Sequence, residues 1–400
     1  MENTRKISDD IIYLGAADRK LGIFEAVYPI DGVNYNSYLI NDDKTVLIDT
    51  IDKHVREQFF ENLEYALSGK DLDYLIIQHM EPDHCAMIPD IVEKYQNVKI
   101  ITTQKAKDII SQFFSLDMAD KIQIVKEGDT LETKNHKLTF VMAPMVHWPE
   151  VMVTYDSSSK ILFSADAFGS FGAYSGNIFD DEIDFTNYFD EARRYYTNIV
   201  GKYGMQVQAL LKKASNLEIK MICPLHGVIL KKNIAPFVEK YLKWSSYEPE
   251  EKGVMIAYSS VYGNTENAAN ILANKLALRG IKDIKIFDTS MTHYSYILAN
   301  AFKYSHIVIA TTTYNMGVFV TMEHFLHNIE THNLQNRTFA IIQNGSWAIN
   351  CEKGIKEHIA NLKGTKILEN PLNIKSSLKN SQVGEIDNLA DEIVQSIKES

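Results

Sequence analysis

The alternation of apolar and polar positions divides the chain into two differently built parts. From residue 11 to about 102, the short apolar runs IIYLGA, NSYLI, TVLID, YLIIQHM and VKIITT predict strands, because residues two apart share one face of an extended chain. Residues 54–68 (HVREQFFENLEYALS) and 87–95 place apolar side chains at helical spacing. KLTFVMAP, MVTYD and KILFSAD resume the strand pattern, and the turn-forming run DSSSK joins the last two. Residues 186–214, rich in Tyr and Arg, predict a helix pair. KMICPLHG predicts a strand ending in a loop, and residues 233–246 a closing helix. The polar run YEPEEKG then marks a boundary, giving domains over 1–249 and 250–400.

Past this boundary strand and helix alternate strictly. GVMIAYSS, IKIFDT, HIVIATTT, FAIIQN and a weaker strand near 366–373 are separated by helical stretches such as 265–279 and 318–332. Such alternation predicts an α/β architecture with an open, doubly wound parallel sheet. No internal repeat or low-complexity segment interrupts it. The length of 400 residues suits about two domains, and 45% hydrophobic with 23% charged residues is ordinary globular composition.

Charge narrows the partners. A net charge of −11 counts against a general nucleic-acid or anionic-membrane binder, which needs a positive field. No apolar run approaches the roughly 20 residues of a membrane helix. The start, MENTRKISDD, is polar and has no apolar leader segment. Cys85, Cys223 and Cys351 are odd in number and far apart, so they predict no disulfide framework and a reducing compartment. The expected location is the cytoplasm.

Candidate chemistry is concentrated in the run Gln78-His79-Met80-Glu81-Pro82-Asp83-His84, which follows the strand YLII. In an extended segment His79, Glu81 and Asp83 point the same way, and His84 begins the next turn. His147 after FVMAPMV, Asp166 at the end of ILFSAD and His226 after MICPL have the same placement at strand ends. A lone histidine there would be structural. Seven nitrogen and oxygen donors exceed one tetrahedral zinc and suit two metals sharing a carboxylate.

A second constellation opens the other domain. Ser260, Val261, Tyr262, Gly263, Asn264 and Thr265 follow a buried strand and start a helix. Hydroxyls, backbone N–H groups and a helix N-terminus together suit a phosphate monoester. Glycines spaced for a dinucleotide pyrophosphate are missing. Two further loops at strand ends carry Thr312, Thr313, Tyr314, Asn315 and Gly317, and Ser346 with Trp347. Tyr314 is suited to stack on a ring.

The first run resembles the His-x-His-x-Asp-His motif of the metallo-β-lactamase superfamily, with Glu81 at the second histidine. An anionic oxygen donor in place of an imidazole favours redox iron over hydrolytic zinc. The His-x-Glu-x-Asp-His form, together with the flavodoxin-like wording YGNTE, resembles the flavodiiron family over nearly the whole chain. That resemblance implies an αββα metallo-β-lactamase-like domain followed by a flavodoxin-like one, with FMN and two iron ions per chain. His79, Glu81 and His147 would hold one iron, Asp83 and His226 the other, and Asp166 would bridge. In this family His84 either ligates or turns away. Asn36 and Tyr38, in GVNYNSYLI, lie near the site or simply pack.

The third flavin loop departs from the usual Gly-Ser-Tyr-Gly-Trp wording: Trp347 takes the tyrosine position, and Ala348 and Ile349 follow. A Cβ at 348 restricts positive φ, so the resemblance does not carry the ring geometry there.

The resemblance implies electron flow from a reduced carrier through FMN to a di-iron site that reduces dioxygen to water, nitric oxide to nitrous oxide, or both. Dioxygen is the expectation. Three scattered cysteines cannot form a four-thiolate iron site, so a separate donor such as rubredoxin is expected. A head-to-tail homodimer, or a dimer of such dimers, is implied because the cofactors of one chain lie far apart in this family. The competing readings are a superfamily hydrolase fused to a flavodoxin domain and a non-catalytic FMN electron carrier.

Overall fold

The computed structural model of the protein describes residues 2–115, 118–174 and 176–400. Two compact units emerge. The first runs to Tyr196 and resumes over Met205–Tyr241; the second comprises Thr197–Gly204 and Leu242–Ser400.

In the first unit, strands Ile11–Tyr13, Tyr38–Asn41, Thr45–Ile48, Tyr74–Ile76 and Lys99–Thr102 lie side by side in one sheet, extended at its edges by Arg5–Lys6 and Ile122–Ile124. A second sheet holds Thr130–Glu132, Lys137–Met142, Met152–Asp156, Ile161–Phe163 and Met221–Cys223. Alternate residues of the two sheets meet in one core: Tyr38, Ile40, Val46, Ile48, Ile76 and Ile101 face Leu138, Phe140, Met152, Ile161 and Phe163. Period-two alternation produces this sandwich, since each strand commits one face to the partner sheet. Strands Lys137–Met142, Ile161–Phe163 and Met221–Cys223 point the same way, the first two because each is antiparallel to Met152–Asp156. Their C-terminal ends therefore share one edge. The loops beyond them carry His147, Asp166 and His226.

The helix pair expected over 186–214 is present as Phe185–Tyr195 and Gly204–Ala214, joined by a π turn and a 3₁₀ turn. Helix Gln104–Phe113, capped by Thr103 whose hydroxyl accepts from the Ala106 N–H at 3.1 Å, was not legible in the apolar spacing.

His136 ties the two sheets together. Its Nδ1 lies 2.6 Å from Asp156 Oδ2, and its Nε2 lies 3.1 Å from Asp10 Oδ2. Burial opposes charge on the ring, yet the hydrogen bond with Asp156 and the facing Asp10 carboxylate raise its pKa above 6.5. A raised folded-state pKa contributes stability that is fully present below the unfolded value and lost as pH rises through the folded one. His136→Gln is therefore expected to cost about 2 kcal/mol in mildly acidic buffer. The difference in melting temperature from wild type should shrink as pH rises; a pH-independent difference would refute the ion pair.

In the second unit the strands are Glu251–Tyr258, Ile284–Asp288, Tyr304–Thr312 and Thr338–Gly345, all parallel. The weak strand expected near 366–373 is instead two pieces, Lys366–Ile367 and Leu372–Lys375, both pairing with Thr338–Gly345. Glu369, Asn370 and Pro371 interrupt it, the proline lacking the N–H a ladder needs. Helices Asn264–Leu278 and Val383–Glu399 cover one face around Ala268, Leu272, Leu389 and Ile393. Among the described residues no helix is long and apolar enough to cross a membrane.

Candidate metal centre and phosphate loop

The chain leaves strand Tyr74–Ile76 extended through His79 and Glu81, and Pro82 then starts the short helix Pro82–Cys85. Proline is pre-set for a first helical position. This corrects the expectation that His79, Glu81 and Asp83 share one extended face. The helical turn sends Asp83 and His84 away from the pair before them, and two donor groups result.

In the first group, Glu81 Oε2 lies 3.2 Å from His79 Nε2 and 3.0 Å from His147 Nε2, while Asp166 Oδ2 lies 3.2 Å from His147 Nε2. In the second, His226 Nε2 lies 3.3 Å from Asp83 Oδ2 and 3.1 Å from His84 Nε2. Asp166 Oδ1 faces this second group, 3.1 Å from His84 Nε2. One carboxylate thus presents an oxygen to each set. All seven residues expected from the sequence converge, and His84 turns its Nε2 inward.

The donor set fits cations. Neighbouring donors around an ion with bonds of about 2.1 Å stand roughly 3.0 Å apart in an octahedron and 3.4 Å in a tetrahedron. Both Asp83 oxygens, Asp166 Oδ1 and His84 Nδ1 are buried without a hydrogen bond, an arrangement costly unless something charged satisfies the carboxylates. The field agrees. Burial works against charge on His147 and His84, yet Asp166 and Glu81 push the former up to about 9, and Asp83 and Asp166 the latter to about 9. Burial likewise opposes the Asp166 anion, but His84 and His147 hold its carboxyl well below the usual range. A nest that grips protons this way grips a metal ion in their place.

Several residues support the donors; Asn36 and Tyr38 were singled out in the sequence, and Glu150, Asn34, Gly227 and Glu25 were not. Glu150 Oε1 accepts from His79 Nδ1 and from the Met80 N–H, each at 2.9 Å, so the inward nitrogen of His79 is Nε2. The backbone carbonyl of Asn34 does the same for His226 Nδ1, at 2.9 Å. Asn36 Nδ2 donates to the carbonyls of Pro224 and Gly227, and the Tyr38 hydroxyl to that of Pro224. Both residues therefore hold the His226 loop and face no donor group. Gly227 follows with φ +78, where a Cβ would stand 2.4 Å from the Tyr188 hydroxyl. On the exposed turn after Ile23–Phe24, the Glu25 carboxyl is pushed up to about 8 by partial desolvation and by the facing Glu81. Among the residues not singled out beforehand, Glu150 had a local signal, three residues after His147 in HWPE.

In the second unit the three expected loops follow neighbouring parallel strands and so share one edge. Gly263 (φ +84) leads directly into helix Asn264–Leu278, and Ser260 Oγ is buried with no hydrogen bond. A buried hydroxyl at a helix N-terminus suits a phosphate oxygen. Thr265 Oγ1 accepts from Asn344 Nδ2 at 3.2 Å, and Asn350 donates to Thr313 Oγ1 and to the Met316 carbonyl, tying the loops together. Tyr314 and Gly317 close a tight turn through left-handed Asn315 and Met316. Val261, Tyr262, Tyr314 and Trp347 are exposed, Trp347 at 92%. Ala348 needs no positive φ. The close approach falls on Gly345 instead, where a Cβ would stand 1.7 Å from the Ala348 carbonyl oxygen.

Comparison with known proteins agrees with both halves. Residues 33–227 match the ODP family beta lactamase model, and residues 256–399 match the flavodoxin model. An uncharacterised protein of Methanocaldococcus jannaschii is 33% identical over 364 residues, covering 91% of each chain. The anaerobic nitric oxide reductase flavorubredoxin of Vibrio vulnificus is 33% identical over 324 residues, covering 78% of this chain and 64% of that one, so this chain spans less than two thirds of that relative. The solved rubredoxin oxygen:oxidoreductase of Desulfovibrio gigas superposes with a TM-score of 0.92 at 28% identity, covering 99% of both. With both domain models matched in order and the two-group donor set in place, the chain belongs to the flavodiiron family, oxidoreductases that combine a di-iron site with FMN.

Proposed function

We propose that this protein takes electrons from a separate reduced carrier such as rubredoxin onto FMN, held by residues 250–400. They pass to two irons, held by residues 1–249, where dioxygen is reduced to water. The observation that carries this reading is Asp166 presenting one oxygen to the His79–Glu81–His147 group and the other to the Asp83–His84–His226 group. Nitric oxide reduction to nitrous oxide is the second reading, favoured by the name of the Vibrio vulnificus relative. The two cofactors supply a relay from a two-electron carrier to one-electron metal sites. The chain's own residues do the rest. Glu81 supplies the anionic oxygen donor that separates the site from hydrolytic zinc. Glu150 and the Asn34 carbonyl set which imidazole nitrogens face inward. Ser260, Gly263, Asn264 and Thr265 bind the flavin phosphate, and Thr312, Thr313, Tyr314, Asn315, Gly317, Ser346 and Trp347 flank the ring. The protein works in the cytoplasm as a head-to-tail homodimer.

The test is one preparation on which iron, zinc and FMN are quantified and the anaerobically reduced protein is offered each oxidant in turn. About two irons and one FMN per chain, with faster consumption of dioxygen, is the expected result. Stoichiometric zinc would support a hydrolase instead, and faster nitric oxide consumption would reverse the order of oxidants.

A further inference from the structure

The two donor groups differ in what stands behind them. Glu150, whose side chain is fully buried, accepts the His79 Nδ1 hydrogen at 2.9 Å and the Met80 N–H at 2.9 Å through the same oxygen. Its other oxygen is buried with no hydrogen-bond partner, so no solvent or donor disperses the charge. Behind His226 stands a neutral backbone carbonyl, that of Asn34, and His84 Nδ1 is buried with no hydrogen bond. Asp49 is the nearby carboxylate that could even the balance, but its two oxygens are taken by the Gln78 N–H and side-chain amide. Each group otherwise holds two imidazoles, one carboxylate of its own and one oxygen of Asp166.

An imidazole that donates to a carboxylate is a stronger, more anionic ligand than one that donates to a carbonyl. Anionic ligands favour the higher charge on a metal. We propose that Glu150 is a positioning residue that makes the two iron sites inequivalent, so that in the one-electron-reduced protein the ferric ion stays with the His79 group and the ferrous ion with the His226 group. The inference rests on the di-iron reading above. It adds one electron to a diferric centre, supplied by the reduced carrier, and assigns where that electron resides.

Glu150→Gln tests it, because a glutamine oxygen still accepts both hydrogen bonds while the charge is removed. The wild-type and variant proteins, loaded with ⁵⁷Fe, are titrated to the one-electron-reduced state and read by Mössbauer and EPR spectroscopy. The expected results are an upward shift of the midpoint potential, a changed ferric quadrupole doublet with the ferrous doublet unaltered, and a roughly 10–100-fold loss of iron affinity. Unchanged potential and doublets alongside a lowered melting temperature would reduce Glu150 to a packing role and overturn the proposal. So would equal changes in both doublets. Should the glutamine variant fail to fold, the wild-type spectrum decides: one trapped-valence species is expected, and a delocalised pair or two species in equal amounts overturns it. Wild-type protein without iron would sink the di-iron reading itself, whereas two irons with a potential insensitive to Glu150→Gln sinks this inference alone.

Discussion

Asp166→Ala is expected to abolish oxidant reduction while leaving the flavin in place. Outer partners of metal ligands cost about 10–100-fold when removed, and Asp166 faces both donor groups directly, so the loss should reach roughly a thousandfold or more. Its two oxygens stand 3.2 Å from His147 Nε2 and 3.1 Å from His84 Nε2, and the residue is 1% exposed. Alanine removes the anion that draws four imidazoles together. Iron should fall well below two per chain. FMN should stay near one, since Ser260, Gly263 and Thr265 belong to the other unit. Iron analysis, flavin absorbance and oxygen-electrode rates on one sample check all three. Undiminished oxidant consumption would show that the chemistry runs elsewhere.

Arg337→Met should give the largest loss of stability in the flavodoxin unit, about 3–5 kcal/mol. Arg337 is fully buried and, among the described residues, forms no hydrogen bond to a carboxylate. Its guanidinium donates to the carbonyls of Ala301 at 2.9 Å, Phe302 at 2.5 Å, Tyr247 at 2.7 Å, Gln335 at 2.8 Å and Asn336 at 3.2 Å. Ala301 and Phe302 close helix Tyr294–Lys303, whose last carbonyls have no partner within the helix. A cation there also meets the negative end of the helix dipole. Tyr247 lies just ahead of the first strand, Glu251–Tyr258, so one side chain fastens the entering chain to a helix end. Methionine preserves the volume and leaves the carbonyls unsatisfied. Arg337→Lys should recover part of the loss, since an ammonium keeps the charge without the planar fork. Thermal release of FMN, followed by its fluorescence, should come roughly 10 °C earlier in the methionine variant. A shift within a degree or two of wild type would show that the carbonyls find other donors.

Much of this was open to reading in one dimension. Strands such as Met152–Asp156, Thr45–Ile48 and Tyr304–Thr312 fall where the apolar runs place them, because a side-chain period of two is a local property. The candidate phosphate-loop residues 260–265 are consecutive, so they could be singled out without knowing the fold. The turn at Pro82 could have been read as a helix start but was taken as extended, which put Asp83 on the same face as His79 and Glu81.

Other features have no local trace. His84 and His226 meet across 142 positions, Glu150 and His79 across 71, and the Asn34 carbonyl reaches His226 across 192. Arg337 reads as a surface cation between polar neighbours, and only the fold buries it. By itself the sequence determined the two-part α/β organisation, most of the principal strands and helices, and the candidate donors and phosphate-loop residues. Each of these depends on neighbours within a few residues or on one motif. The tertiary structure alone decided that His84 faces inward to join Asp83 and His226, and that a carboxylate stands behind one imidazole and a carbonyl behind another. Strand direction and sheet packing set those relations, and they join residues that no sequence window contains.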